Sequence, residues 1–228
     1  MKTNELGQPV GEPVAGWKAV SPPPRTALEG RYCRLEPLDP AHHAGDLHAA
    51  NSLDPDGRMW TYMGYGPFGS EAEYRTWAES VAGDGDPLFM TILDAENGKA
   101  AGVASYLRVQ VEMGVVEVGH IAYSPALQRT RAATEAMYLM MARVFDELGY
   151  RRYEWKCDAL NAASRKAAER LGFVYEGIFR QALVYKGRNR DTAWYAVIDK
   201  DWPALKSAFE AWLAPENFGA DGRQLRPL

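Results

Sequence analysis

The chain has 228 residues, with 46% hydrophobic and 25% charged side chains, a globular composition that excludes wholesale disorder and fibrous or collagen-like classes. Its 26 basic and 30 acidic residues leave a formal charge of −4, which argues against a general nucleic-acid coat or a polybasic membrane binder. No apolar run reaches the roughly 18 to 20 residues that span a bilayer, and the start Met1-Lys2-Thr3-Asn4-Glu5 leads into Gly and Pro rather than an apolar leader. Only two cysteines occur, Cys33 and Cys157, far apart and outside C-x-x-C spacing. Neither a disulfide framework nor a zinc site is indicated, and a reducing cytoplasm is the expected compartment.

Residues 1–28 hold five of the fourteen prolines and no sustained period, so they read as an extended arm that Trp17 tacks down. A domain over 29–213 comes next, and 214–228, punctuated by Pro215, Gly219, Gly222 and Pro227, reads as a tail or surface strap. Within the domain the spacing predicts a strand at 32–35, a helix from Pro40 to Asn51, an aromatic-rich loop, and a helix from Ser70 to Ala82 opened by a Ser70/Glu73 capping box. Three strands at 88–93, 101–109 and 115–121 form an antiparallel meander. Residues 128–148 carry Ala133, Met137, Met140, Met141, Val144 and Leu148 at helical spacing, stopped by Gly149. Tyr153–Ala159 alternates as a strand, Asn161 caps a helix ending at Gly172, and strands near 174–179 and 192–198 precede a last helix over 199–213. Alternating strands and helices without a fixed repeat favour a mixed α/β domain.

The helix start at Gln128–Thr130 carries the chemistry most legible from the pattern. Free N–H groups and the positive end of the helix dipole suit an anion, small Ala132 and Ala133 allow close approach, and Arg129 and Arg131 add charge. Residues 128–190 hold 13 basic against 7 acidic side chains, so an anionic ligand is expected on this half. Neither G-x-x-x-x-G-K-[ST] nor G-x-G-x-x-G is present, which excludes a P-loop and a dinucleotide fingerprint.

The run Gln128-Arg129-Thr130-Arg131-Ala132-Ala133, followed by Thr134-Glu135-Ala136, occupies the place of a Gln/Arg-x-x-Gly-x-Gly/Ala loop, with Arg131 at the central glycine. Downstream come Trp155-Lys156-Cys157-Asp158, Asn161-Ala162-Ala163-Ser164, Leu171-Gly172-Phe173, Glu176-Gly177 and Arg180-Gln181, in that order. Together these resemble the GNAT acyl-CoA-dependent N-acetyltransferases, and within them the RimJ/RimL-like branch, over roughly residues 30–200. The resemblance implies a mixed, mostly antiparallel sheet with a central splayed parallel strand pair, flanked by helices. Acetyl-CoA would enter the splay between 115–121 and 153–159. Its pyrophosphate would rest on Gln128, Arg129, Thr130, Arg131, Ala132, Ala133 and Thr134, its pantetheine would lie along the backbone of Ile121 and Tyr123, and Asn161 would hold the arm.

An attacking amine must lose a proton, and the leaving thiolate benefits from a nearby acid. The resemblance places Glu117 as the base and Ser164 at the sulfur, and sets Trp60, Tyr62 and Phe68 beside the acceptor. Asp191 matches an acidic RimL position, while Leu183 stands where RimL carries a second acid. His120 alternates to the face opposite Glu117 as a packed histidine, and His42, His43 and His48 lack metal-ligand partners. No metal, nucleic acid or membrane is expected. The acceptor is a primary amine, either a protein N-terminus or a small molecule, attacking directly in a ternary complex. RimL-like relatives often dimerise, which admits a homodimer. Arg131 at the glycine position motivates the alternative, a non-catalytic acyl-CoA-binding module.

Overall fold

The computed structural model describes residues 2–83 and 85–228; Met1, the first residue of the expected arm, lies outside them. In chain order the elements are β1 (Lys2–Thr3), β2 (Pro9–Val10), β3 (Leu28–Glu29), β4 (Cys33–Pro37), α1 (Pro40–Asn51), a 3-10 turn at Arg58–Trp60, α2 (Glu71–Val81), β5 (Leu88–Asp94), β6 (Ala100–Gln110) and β7 (Val115–Tyr123). Then come α3 (Arg131–Ala142), which runs into a π-helical turn at Arg143–Glu147, β8 (Arg152–Asp158), α4 (Ala162–Arg170), β9 (Val174–Tyr185), β10 (Arg188–Ile198), α5 (Trp202–Leu213) and a 3-10 turn at Pro215–Asn217.

Eight strands form one sheet in the order β3-β4-β5-β6-β7-β8-β10-β9. Every neighbouring pair is antiparallel except β7 and β8, which run parallel. One face carries α3, α4 and α5, whose Met137, Met140, Met141, Leu171, Trp202 and Phe209 pack on Val116, Val118, Tyr153, Trp155 and Tyr195. The other face is covered by α1 and α2, where Leu38, Leu47, Trp60, Tyr74 and Ala78 meet Phe89, Val103 and Ala122. The expected mixed, mostly antiparallel sheet with one central parallel pair is what forms.

Local chemistry explains the boundaries. Asp39 caps α1 through Ala41 N (2.9 Å) and His42 N (3.3 Å), and Ser70 Oγ accepts from Glu73 N at 3.2 Å. Glu73 reaches back to the Gly69 N–H (2.8 Å), one residue before the partner a capping box would use. The helix expected from 128 starts at Arg131, because Thr130 is extended (φ −95°, ψ 167°) and its Oγ1 accepts from Ala133 N. The strands expected at 174–179 and 192–198 extend into a long hairpin closed by Lys186 and Gly187, both at positive φ (47° and 69°), the backbone that a two-residue hairpin loop requires. Periodicity missed this extension because β9 is exposed on nearly its whole length.

Candidate active site

The parallel strands are paired only in their first halves. Register runs Val115–Arg152, Val116–Tyr153, Glu117–Glu154 and Val118–Trp155 and stops there, although β7 continues to Tyr123 and β8 to Asp158. Beyond Val118 the sheet therefore opens, and its backbone groups face a gap instead of a neighbouring strand. A cavity of about 930 Å³ fills that gap. It runs from Met59, Tyr62, Arg108 and Glu117, past Gly119–Tyr123 and Trp155–Asp158, to the start of α3, Arg170 and Trp212. Among the described residues no group of three or more His, Cys, Asp or Glu side chains is placed to hold a metal ion.

Among the described residues, the start of α3 leaves helical N–H groups unpaired. Thr130 caps only the third helical N–H, and neither the Arg131 nor the Ala132 N–H bonds a described backbone acceptor. Gln128, Arg129 (φ 62°), Thr130, Ala133 and Thr134 line the cavity; Ala132 and Arg131 do not. Ala132 packs into the core. Arg131 turns outward, its guanidinium 4.6 Å from the Tyr32 ring centre and 5.1 Å from that of Phe218, with Glu96 Oε1 at 3.5 Å. A side chain at the first helical position can leave a loop unobstructed, so the backbone a glycine would supply is available with an arginine in place.

Ile121 and Tyr123 line the cleft from β7, and Gln128 Nε2 donates to the Tyr123 carbonyl at 2.8 Å. Across the gap, Asn161 caps α4 by accepting from Ser164 N (3.0 Å), which spares its amide N–H groups for a ligand. Ser164 Oγ accepts from Trp155 Nε1 at 3.0 Å. It lies against Cys157, whose thiol is pushed up chiefly by burial.

Glu117 lies on the opposite face of the sheet, 3% exposed. Arg108 Nη1 donates to its Oε1 at 2.6 Å, and Lys156 Nζ stands 2.8 Å from its Oε2, at ion-pair distance without hydrogen-bond alignment. Lys156 also reaches Glu154 (2.7 Å) and lies 3.8 Å from the Trp194 ring centre. A bulge in β7 then reverses an expectation. Between Val103–Ala122 and Ser105–Gly119, three residues of β7 span two of β6, and His120 takes φ 50°. His120 consequently shares the face of Glu117, stacked on Tyr65 (5.7 Å) and tilted against Phe89 (5.0 Å), and its pKa is lowered mainly by burial.

Of the three aromatic residues expected at the acceptor, only Tyr62 lines the cleft, and its hydroxyl bonds Leu160 O at 3.2 Å across the opening. Trp60 is 4% exposed and set edge-on to Phe68 (5.4 Å), which in turn packs on Tyr74 (5.1 Å). Both close the α1/α2 core beside a separate cavity of about 220 Å³. Sequence reasoning missed Arg108, Lys156, Arg170, Arg190 and Trp212, all of which line the main cleft. The excess of basic residues over 128–190 was the one signal that pointed to most of them.

An acetyltransferase (GNAT) domain family matches residues 33–174. The chain belongs to the GNAT acetyltransferase family. It is similar to the crystal structure of a GCN5-related N-acetyltransferase from Brucella melitensis, with 47% identity, TM-score 0.92 and coverage of 94% of this chain and 97% of that one. A probable GNAT acetyltransferase from Chromobacterium violaceum is 39% identical, with TM-score 0.79 and coverage of 86% and 98%. At fold level the GNAT chain also resembles a Salmonella typhimurium acetyltransferase described as modifying the N-terminal serine of ribosomal protein L7/L12, at 21% identity, TM-score 0.64 and coverage of 75% and 98%.

Proposed function

We propose that this GNAT protein is a cytoplasmic N-acetyltransferase of the RimJ/RimL-like branch. It uses acetyl-CoA and a primary amine, a protein N-terminus or a small molecule, in one ternary complex. The observation that carries this reading is the strand pair that stops at Val118–Trp155 and opens into a cavity continuous with the α3 start. An extended amide-bearing chain fits between β7 and β8, and its phosphates fit at Gln128–Thr134 beside Arg129. When bound, acetyl-CoA supplies an activated thioester.

Glu117 then receives the proton of the attacking ammonium group, directly or through water, while Arg108 and Lys156 hold its carboxylate in place. A carboxylate offers about four lone-pair sites, so two cations leave room for an incoming N–H. Ser164, fixed by the Trp155 indole, points its own O–H toward the departing sulfur. Asn161 orients the pantetheine arm through its spared amide. Tyr62 borders the acceptor, together with the cations of Arg108, Lys156 and Arg190. The reading of a binding-only module loses its motive, since the Arg131 side chain lies outside the loop.

The test is acetyl-CoA-dependent release of free thiol over a panel of amino acids, polyamines, aminoglycosides and short peptides. Glu117→Gln should lower kcat by about 10²- to 10⁴-fold with little change in CoA affinity, and Ser164→Ala should lower it less. Release at wild-type rate in Glu117→Gln would remove Glu117 from the mechanism, and tight CoA binding without turnover on any amine would restore the binding-only module.

A further inference from the structure

The matched family segment ends at residue 174, yet the far end of the cleft is made by the C-terminal segment beyond α5. After Leu213 the chain turns at Pro215–Asn217 and folds back, with Phe218 bridged to Gln224. Asn217, fully buried, knits this strap: its Nδ2 donates to Trp212 O (2.9 Å) and Arg226 O (3.2 Å), and its Oδ1 accepts from Arg226 N (2.9 Å). Gln224 Oε1 accepts from Trp212 Nε1 at 3.0 Å. Outside, Phe218 sits edge-on to Trp212 and to Tyr32. Inside, Trp212 and Gln224 form the cavity wall beside Thr134 and Arg170.

Arg170 is the informative residue there. Its guanidinium carbon lies 4.9 Å from the centre of a Trp212 ring, and Nη1 donates to Thr134 Oγ1 at 3.1 Å. No described carboxylate forms an ion pair with it, whereas Arg108, Arg131, Arg143, Arg152 and Lys156 each have one. A guanidinium oriented on an indole and left without a counter-ion is a preset anion receptor. With a pyrophosphate on the α3 start, the next ionic group outward along CoA is the phosphate monoester on its ribose.

We propose that Arg170, laid on Trp212 by the C-terminal strap, receives the 3′-phosphate of CoA, so that residues 212–228 are part of the cofactor site. This deepens the cofactor reading above and rests on it. Arg170 lies at the exposed end of α4, so its replacement leaves the core intact.

Calorimetric titration of the full-length protein with CoA, 3′-dephospho-CoA and adenosine 3′,5′-bisphosphate tests the proposal. Wild-type protein should bind CoA about 10- to 100-fold more tightly than dephospho-CoA, the range of a lost charge-assisted hydrogen bond. Arg170→Gln should weaken CoA and the bisphosphate to that extent and leave dephospho-CoA unchanged. Arg170→Lys should recover part of the difference, and Gln224→Ala, which frees the strap, should reduce it. Equal affinity of wild type for CoA and dephospho-CoA, or equal weakening of both by Arg170→Gln, would overturn the proposal while leaving the cofactor assignment standing. Failure of wild type to bind CoA at all would overturn the cofactor assignment and the proposal with it.

Discussion

Lys156 holds two buried carboxylates apart, those of Glu117 and Glu154, at 2.8 and 2.7 Å. A buried ion pair is weak evidence of stabilisation, but removing one partner strands the others in low dielectric. Lys156→Met should therefore cost about 3–5 kcal/mol in urea unfolding, and adding Glu117→Gln should restore part of that loss; additivity of the two substitutions would show that the residues are not coupled. His120 gives a pH signature. Its folded pKa lies below 6.5 because of burial, with Arg108 adding to the shift and Asp86 opposing it, and the Tyr65 and Phe89 rings pack against the imidazole. The unfolded chain then binds the proton more readily, so the neutral ring contributes stability that is present above the unfolded value and is lost as pH falls through the folded one. Thermal unfolding of His120→Gln should show a shallower decline between pH 7 and 5 than wild type.

Among the elements, α3 shows what sequence conveys and what it hides. Although the helix begins at Arg131 and not at Gln128, its apolar stripe was legible from spacing. The place of Glu135 was not. Its carboxylate turns back from α3 to accept the N–H groups of Arg31 (2.9 Å), Tyr32 (2.6 Å) and Cys33 (2.8 Å), a turn about a hundred residues earlier. Gly30 completes the fit, since a Cβ there would clash with that carboxylate. Glu135→Ala leaves three N–H groups without their acceptor and should cost about 3 kcal/mol or more, measured as a fall in Tm; an unchanged Tm would mean that water replaces the carboxylate. Long-range bonds of this kind have no local period, which is also why the Arg108–Glu117–Lys156 cluster and the buried Trp60 escaped the pattern. The bulge at His120 escaped for another reason: alternation assumes an unbroken ladder, and one inserted residue moves His120 to the other face.

At the scale of the whole molecule, both terminal segments are fastened to the domain, the N-terminal one from Trp17 onward. Arg143, buried at the end of α3, donates to Thr26 O (2.8 Å) and Ala27 O (2.9 Å), and Trp17 Nε1 donates to Glu112 O (2.9 Å). At the other end Asn217 ties the strap. Asn217→Ala should raise the hydrogen-exchange rate of the Arg226 amide, which loses its side-chain acceptor, and then of the Leu225 amide, whose acceptor is the Asn217 carbonyl of the loosened turn, before those of β7 or β8; uniform acceleration would mean that the strap and the sheet open together. The sheet itself has an unusual property for its position. Between Gly119 and Tyr123 the centre of an eight-stranded sheet presents a free edge, the kind of surface that elsewhere recruits foreign strands. Under the proposed cofactor reading, that edge, sheltered inside a cleft, serves as a ruler for amide spacing. A simple linear diamide with the pitch of pantetheine, carrying no nucleotide and no phosphate, should slot into it as a weak competitive inhibitor, and should protect those five residues from deuterium uptake while leaving the helix start unaffected.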